Sequence, residues 1–246
     1  MKKLRSLLLI AAIFVGSVST AQAALYTADF GANAGTPSDC DDCFSGAWNF
    51  SGADQSINFF GNAYDGLFVG SNGFVTFGAG SGSFISQALN TQNVRPMIAG
   101  SFTDLDSRGD IASNVFVNRS APGEIIVTWD RLGHYNYDYS VRSTFQLVIR
   151  SDQTAVAGGE GQIGFFYGDI TDPRNTSAGF GDGLSSINPG EVAFASLVNG
   201  TTLSNNTPRW FNLEGGLPSE VPEPGSLALL GLGLSAFAFM RRRKNV

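Results

Sequence analysis

Residues 67–78 read LFVGSNGFVTFG, and this stretch decides the fold class. Two short apolar runs flank Asn72 and Gly73. An Asn-Gly pair between two such runs is the strongest short-range signal for a β-hairpin. We therefore predict a strand, a turn at Asn72-Gly73 and a second strand.

Alternating apolar residues recur further along the chain. In EIIVTWD (124–130) and TFQLVIR (144–150), every second side chain is apolar and falls on one face of a strand. NVFVN (114–118) and GQIGFFYGDI (161–170) predict further strands. Together they predict an all-β fold, an antiparallel β-sandwich, with an N-terminal signal helix and a short C-terminal membrane helix.

The N terminus has the three parts of a secretory signal peptide. A cationic MKKLR precedes an apolar SLLLIAAIFVG, and Ala21 and Ala23 supply a small-x-small cleavage site. We predict a signal peptide over residues 1–23, removed by signal peptidase after Ala23.

The C terminus predicts a membrane segment. An apolar run of about 21 Å, Leu227–Met240, lies between acidic residues and a purely cationic end. The positive-inside rule places that end in the cytoplasm and the rest of the chain outside. The cations that stop the segment are Arg241, Arg242, Arg243 and Lys244.

Residues 221–246 as a whole resemble the PEP-CTERM sorting tail. Val221, Pro222, Glu223 and Pro224 form the sorting motif, and the apolar run and cations follow it. The resemblance implies a Gram-negative bacterium, transient residence in the inner membrane and cleavage by an exosortase. It also implies release to the cell surface or extracellular matrix.

The chain between the two ends resembles the nidogen-type (NIDO) extracellular domain. Six motifs follow that family's order: LFVGSNGFVTFG (67–78), RPMIAGSFTDLDSRGD (95–110), IIVTWDRLGHY (125–135), STFQLVI (143–149), GQIGFFYGDI (161–170) and SAGFGDG (177–183). The resemblance implies an extracellular interaction module. We predict a β extension with a cysteine pair over 24–66, a NIDO-like sandwich over 67–200 and a linker over 201–220.

We expect a non-catalytic adhesion or binding protein whose partner is an extracellular polysaccharide or a surface protein. The main alternative is a calcium-dependent, lectin-like module that binds exopolysaccharide through Asp104, Asp106 and the tyrosines at 135, 137 and 139. Ice binding is a third possibility, but no regular threonine array accompanies it.

Charge and composition narrow the function classes. The predicted mature chain keeps eight arginines, no lysine and twenty acidic residues, a balance of about −12. Such a surface repels nucleic acid and anionic lipid, so the tail is the expected membrane contact. His134 is the only histidine, and no Gly-x-Ser-x-Gly motif accompanies it. We therefore do not expect an enzyme.

Cys40 and Cys43 are the only cysteines. In an oxidising compartment an even pair favours a disulfide, here across a tight turn. A metal or calcium loop and a redox site are the alternatives. Zinc would need two more strong ligands, and no thioredoxin-like strand and helix flank the pair.

Asp104, Asp106 and Asp110 have the spacing of a calcium loop, and Ca²⁺ is the one cofactor that the sequence suggests. Arg108 stands where another carboxylate belongs, and no bidentate glutamate follows at the EF-hand distance. The alternative is a turn in which the first two carboxylates accept backbone N–H groups and pair with Arg108.

Overall fold

The computed structural model describes residues 25–86, 89, 95–109, 114–170, 176–184, 192–195 and 208–222. One 3-10 turn, Thr36–Ser38, lies in these ranges. The strands within them are β1 (Ala32–Asn33), β2 (Trp48–Asn49), β3 (Ile57–Phe59), β4 (Asn62–Tyr64), β5 (Gly66–Val69), β6 (Phe74–Thr76), β7 (Met97–Phe102), β8 (Leu105–Asp106), β9 (Asn114–Asn118), β10 (Glu124–His134), β11 (Asp138–Arg150), β12 (Ile163–Ile170), β13 (Ser177–Gly181), β14 (Val192–Ala195), β15 (Arg209–Glu214) and β16 (Leu217–Glu220).

The strands form two main antiparallel sheets. The described part of the larger sheet runs β1-β9-β10-β11-β12-β15-β16, and β8 pairs with the end of β10. The smaller sheet runs β14-β13-β7-β6-β5-β2, and β3 and β4 form a separate hairpin. The predicted all-β, antiparallel architecture is confirmed.

The inner faces of the two sheets pack into one apolar core. Val75 and Ile98 of the smaller sheet share a cluster of buried residues with Val127 and Leu147 of the larger one. Every second residue from Ile125 to Trp129 in β10 and from Phe145 to Ile149 in β11 faces this core, because side chains of a strand alternate between its two faces. The predicted alternation over 124–130 and 144–150 therefore corresponds to the inner face of the sandwich.

Two stacked rings of the larger sheet lie in the core, and two hydrogen bonds connect the two sheets beside them. The Trp129 and Phe145 rings stack with centroids 4.9 Å apart, and both are fully buried. The Trp129 indole donates to the Gly70 carbonyl at 2.9 Å, and the Tyr167 hydroxyl donates to the Gly100 carbonyl at 2.9 Å. These bonds satisfy polar atoms that would otherwise be costly to bury.

The hairpin predicted over 67–78 is present as β5 and β6, with a slightly longer turn than expected. Val69 pairs with Val75, and Gly70 N donates to Phe74 O, so the loop is Ser71-Asn72-Gly73. Gly73 has φ +81°, and a Cβ there would lie 2.1 Å from Ser101 O. A three-residue loop that ends on a left-handed glycine is a common hairpin connection.

The segments on both sides of the predicted 67–200 domain supply strands to the sheets. Within 24–66, β1 joins the larger sheet, β2 joins the smaller one and Phe59 is fully buried. Within 201–220, β15 and β16 extend the larger sheet. The side chain of Phe211 is buried against Phe165 and Phe180, and this contact anchors β15 in the core.

The outer face of the larger sheet is partly covered by the segment before β1. The Tyr26 ring lies against Phe166 and Trp210, and the Gln146 amide exchanges two hydrogen bonds with the backbone of Thr27. The covered face includes the buried residues Ile126 and Val148. The second face of the central strands is therefore also apolar, which alternation alone does not predict.

Several predictions lie outside the described residues. These are the signal helix, the C-terminal membrane helix, and the residues Ala21, Ala23, Asp110, Glu223, Pro224, Arg241, Arg242, Arg243 and Lys244. Within the described ranges, no helix has the length and apolar character needed to cross a membrane.

Candidate functional site

Three aspartates that are distant in sequence meet at one end of the sandwich. Asp41, Asp42 and Asp104 bring carboxylate oxygens within 4.8 Å of one another, and we call these three residues the acidic cluster. Asp41 and Asp42 lie in the loop between Cys40 and Cys43, and Asp104 precedes β8. Of the three, the sequence had singled out Asp104 alone.

A disulfide closes the loop that carries two of the clustered acids. Cys40 and Cys43 are joined in the structure, with Cα atoms 5.9 Å apart. The backbone of Cys43 exchanges two hydrogen bonds with Ser71, at 3.0 Å and 2.9 Å. The Ser107 hydroxyl donates to Cys40 O at 2.9 Å. The loop is thereby fixed both to the β5–β6 turn and to the residue after β8.

Asn72 links the turn of the first hairpin to the acidic cluster. Its side chain is buried, and its amide nitrogen donates to Asp42 Oδ1 at 2.9 Å and to Ser83 O at 3.1 Å. Its amide oxygen accepts the Leu105 N–H at 2.8 Å. The residue that predicts the hairpin is thus also the residue that positions Asp42 relative to β8.

Asp106 does what the sequence suggested for a turn carboxylate. Its side chain is 0% exposed. It accepts hydrogen bonds from the Arg108 backbone and guanidinium, the latter at 3.0 Å and 2.7 Å, and from Tyr137 N at 3.2 Å. Burial opposes its ionisation, but these donors outweigh it and lower the pKa of Asp106. It is therefore an anchor for the turn and not a member of the acidic cluster.

Asp104 has the opposite environment. Within the described residues its Oδ1 is buried and accepts no hydrogen bond, and the same is true of Asp41 Oδ1. Burial is the main cause that raises the pKa of Asp104 to about 6, and the nearby charges of Asp42, Asp41 and Asp106 add to it. The suggestion that both turn carboxylates accept backbone N–H groups is right for Asp106 and wrong for Asp104.

Arg108 supplies positive charge beside the acidic cluster. One guanidinium nitrogen lies 2.7 Å from Asp106 Oδ2 and 2.8 Å from Asp41 Oδ2. Burial raises the pKa of Asp41, the charges of Asp106 and Asp42 raise it further, and Arg108 opposes them. Three carboxylates can hold a hard cation such as Ca²⁺. The Arg108 guanidinium partly replaces such a cation, because it neutralises negative charge at the edge of the acidic cluster.

The tip of the β10–β11 hairpin projects beside these residues. Residues 134–139, which we call the hairpin tip, expose Tyr135 and Tyr137 by 62% and 54%. Asn136 and Tyr137 have φ of +64° and +60°, and such values are uncommon for a bulky side chain. The tip is therefore a strained turn with two aromatic rings open to solvent.

Contacts from residues 104–108, which include β8, hold the hairpin tip in this form. Tyr135 N donates to Asp104 O at 3.1 Å, and Tyr137 N donates to Asp106 Oδ2. The Arg108 guanidinium lies 4.6 Å from the centroid of the Tyr137 ring. The Tyr139 hydroxyl donates to Arg108 O. Asp104, Asp106 and the tyrosines at 135, 137 and 139, which the sequence had proposed together, are thus neighbours.

Most of the chain matches the model of a known protein family. Residues 18–212, about four fifths of the sequence, match the family model described as NIDO related. The chain belongs to the NIDO-related family. Residues 220–244 match the PEP-CTERM protein-sorting motif. No curated protein and no solved structure matches the chain.

Both resemblances seen in the sequence are thereby confirmed. The NIDO-related match begins before the predicted domain start at residue 67 and ends at residue 212, within β15. The match therefore covers β1 to β14 and the first part of β15, and it stops before β16. The sorting motif identifies the chain as an exported exosortase substrate that is held transiently in the membrane before surface display.

Replacing Asp104 with asparagine is expected to stabilise this NIDO-related domain at pH 7 in the absence of metal. A carboxyl whose pKa is about 6 in the fold and 3.8 otherwise favours the folded state only when protonated. Its ionisation therefore costs stability increasingly as pH rises from about 4 to about 6. Because the group is partly exposed, we expect a gain of about 1 kcal/mol, or about 2–4 °C in Tm.

Thermal unfolding of the wild type and Asp104→Asn between pH 4 and pH 7.5 measures this effect. The gain should vanish near pH 4, where the wild-type carboxyl is protonated. Asp54→Asn, which removes an exposed carboxylate elsewhere, is the matched control for net charge. A loss of stability at pH 7 would show that Asp104 makes a favourable contact instead.

Proposed function

We propose that this exported protein is a non-catalytic binding module for an extracellular polysaccharide, and that the hairpin tip is its contact surface. The observation that carries the proposal is the pair of exposed rings, Tyr135 and Tyr137, on a turn held by Asp106 and Arg108. Rigid aromatic side chains supply contact area at low entropic cost. Such a surface suits adhesion to a sugar polymer or its assembly.

The position of the hairpin tip supports this function. Val221, the first residue of the sorting motif, is hydrogen-bonded to Trp210, and Trp210 pairs with Gly164, which pairs with Val148 on β11. Along β11, Val148 is ten residues from Asp138 at the tip, roughly 30 Å at the usual rise of a strand. A ligand at the tip is therefore well separated from the segment that leads to the membrane.

A calcium-dependent, lectin-like form of this function is the second candidate. One buried oxygen of Asp41 and one of Asp104 lack a hydrogen-bond donor among the described residues, and a cation could satisfy both. Arg108 competes with that cation, because its guanidinium is 2.8 Å from Asp41. We therefore favour metal-independent binding, in which Arg108 rather than calcium offsets the acidic charge.

Binding of the released protein to polysaccharide purified from the host matrix tests the proposal. Tyr135→Ser and Tyr137→Asn each remove a ring, and asparagine tolerates the positive φ at position 137. We expect each to weaken binding about tenfold, the scale for a contact worth about 1.4 kcal/mol. Leu217→Ser changes an exposed side chain at the first position of β16 and should leave binding unchanged.

The two candidates differ in their response to calcium. Metal-independent binding predicts equal affinity in EDTA and in millimolar calcium. A calcium site predicts loss of binding in EDTA, and a stability gain of about 2.7 kcal/mol at a hundredfold excess of metal over Kd that Asp104→Asn abolishes. Full affinity in both tyrosine variants would reject the hairpin tip as the contact surface.

A further inference from the structure

A cavity of about 380 Å³, which we call the polar cavity, opens at the end of the sandwich opposite the hairpin tip. It is lined by Asn49, Phe50, Gly52, Asp54, Gln55, Ser56 and Asp65. Its loop, residues 50–56, is hydrogen-bonded to Gly123, just before β10, and to Ser151, just after β11. The 11 residues of β10 run from there to the hairpin tip, so roughly 30 Å separate the two places.

The loop that forms one wall of the polar cavity is fixed at both ends. Gly123 N donates to Ser51 O at 2.8 Å, and Asp152 N donates to Ser56 O at 2.8 Å. Asp65, on the opposite wall, accepts a backbone hydrogen bond from the start of the loop at 2.9 Å. The two walls are therefore held together by the backbone, and the cavity is formed before any ligand arrives, as is usual for small-molecule sites.

Most polar side chains around the cavity are not used by the fold. Among the described residues, four of them form no hydrogen bond or ion pair with the protein: Asn49, Asp54, Ser56 and Asp65. The Gln55 oxygen differs, because it accepts the Ser151 hydroxyl. A carboxylate only accepts hydrogen bonds, whereas an amide and a hydroxyl both donate and accept. The cavity therefore offers acceptors in excess and a smaller number of donors.

The charge and size of the polar cavity select the kind of ligand. Its described lining includes two carboxylates and no arginine, lysine or histidine, so an anionic ligand would meet like charge. Calcium needs six to eight oxygens at about 2.3–2.6 Å, a shell far smaller than this cavity. A neutral molecule with many hydroxyl groups fits better, because it can donate to Asp54 and Asp65 and accept from Asn49.

We infer that the polar cavity binds one neutral sugar unit, as a second site separate from the hairpin tip. Its volume lies at the lower end of the range for small-molecule sites, which suits a single sugar ring. The inference goes beyond the proposed function, since it does not depend on the tyrosines of the tip. Together with the proposed contact at the tip, a site at the opposite end would let one protein bridge two polymer chains.

Calorimetric titration of the released protein with single sugars tests the inference. The probes are glucose, galactose, mannose and N-acetylglucosamine, with glucuronic acid as the anionic counterpart of glucose. We expect at least one neutral sugar to bind with a Kd in the millimolar range. Glucuronic acid should bind at least about tenfold more weakly than glucose, because its carboxylate faces those of the cavity.

Two substitutions of exposed lining residues locate the site. Asp65→Asn replaces an acceptor by an amide and removes one charge, so it should weaken neutral-sugar binding about tenfold and also narrow the preference over glucuronic acid. Asn49→Ala should weaken neutral-sugar binding to a similar extent. Asp169→Asn makes the same charge change at an exposed position of β12 and should change neither quantity. Full affinity in both cavity variants would overturn the inference.

The remaining outcomes separate the polar cavity from the hairpin tip. Tyr135→Ser should leave single-sugar binding unchanged. If it abolishes that binding instead, the sugar lies at the tip, and the inference fails while the proposed function stands. If the tyrosine variants keep full affinity for polysaccharide but Asp65→Asn loses single-sugar binding, the tip is rejected and the cavity stands. Absence of binding by every neutral sugar, or tighter binding of glucuronic acid than of glucose, would also overturn the inference.

Discussion

Replacing Arg150 with methionine is expected to lower the free energy of unfolding by about 3–5 kcal/mol. The Arg150 side chain is 5% exposed and lies 2.7 Å from both Glu124 and Glu160. It also donates to Gly161 O at 3.0 Å and to the Tyr26 hydroxyl at 2.8 Å. Methionine fills much of the volume but leaves partly buried acceptors without their donor. Removing one partner of a buried ion pair is strongly destabilising, because the other charge stays buried and unpaired.

Denaturant unfolding at pH 7 tests the cause of this loss. In the variant, the two glutamates lose the guanidinium that neutralises them. Adding Glu124→Gln and Glu160→Gln removes these unpaired charges and should recover at least half of the deficit at pH 7. A deficit that persists unchanged in this triple variant would point to lost packing.

Arg209→Gln is the matched control for position in the same sheet. Arg209 pairs with Glu220 at 2.9 Å, but both side chains are a third or more exposed. Exposed ion pairs contribute about 0–1 kcal/mol, because solvent screens the charges and the side chains lose entropy. We therefore expect less than 1 kcal/mol from Arg209→Gln. A similar loss from both variants would contradict the assignment of the Arg150 effect to burial.

The sandwich was predictable because its strands carry a local signal. Alternation in 124–130 and 144–150 places Val127 and Leu147 on the core side, and the structure puts both there. The Asn-Gly pair predicted the hairpin, although the loop includes Ser71 as well. These features depend on residues within one or two strands, and a sequence displays such short-range relations directly.

The domain limits were not predictable in the same way. Phe59 and Phe211 each belong to an aromatic pair within a short segment, Phe59-Phe60 and Trp210-Phe211. Only distant contacts show which ring of each pair is a core residue. Tyr26 is similar, since it packs on Phe166 and Trp210, far along the chain. Burial set by long-range contacts leaves no periodic pattern in a short segment, so 24–66 and 201–220 were predicted to lie outside the sandwich.

The candidate site shows the same division. The Asp-x-Asp motif and the tyrosines at 135, 137 and 139 were predicted to act together, and the pairing of β8 with β10 brings them close. Asp41 and Asp42 were missed, because more than sixty residues separate them from Asp104. The available signal was their position between Cys40 and Cys43. It predicted a closed loop, but it did not predict that this loop lies beside Asp104.

Replacing Asp106 with asparagine is the second change expected to have a large effect. The buried carboxylate accepts from Arg108 and from Tyr137 N, and asparagine can accept with one atom only. The amide group of the asparagine would also point its own N–H donors towards the donors of Arg108 and Tyr137. We expect the free energy of unfolding to fall by about 2–3 kcal/mol. This is below the upper range for a broken buried ion pair, because Arg108 remains partly exposed to solvent and keeps its ion pair with Asp41.

The pH dependence and the hairpin tip give Asp106→Asn two readouts that a general loss of packing would not share. Because the pKa of Asp106 is lowered, its contribution is complete above the ordinary aspartate value of 3.8 and is lost as pH falls below it. The difference in stability between wild type and variant should therefore be constant from about pH 5 to 8 and should disappear in stronger acid.

The variant also frees Tyr137 N, so the positive φ at position 137 loses one of its supports. Polysaccharide binding should then weaken even at temperatures where the variant is fully folded. Asp104→Asn, two residues away, should stabilise the domain at pH 7 and leave the tip in place. Equal effects of the two substitutions on stability and on binding would show that the two carboxylates do not have separate roles.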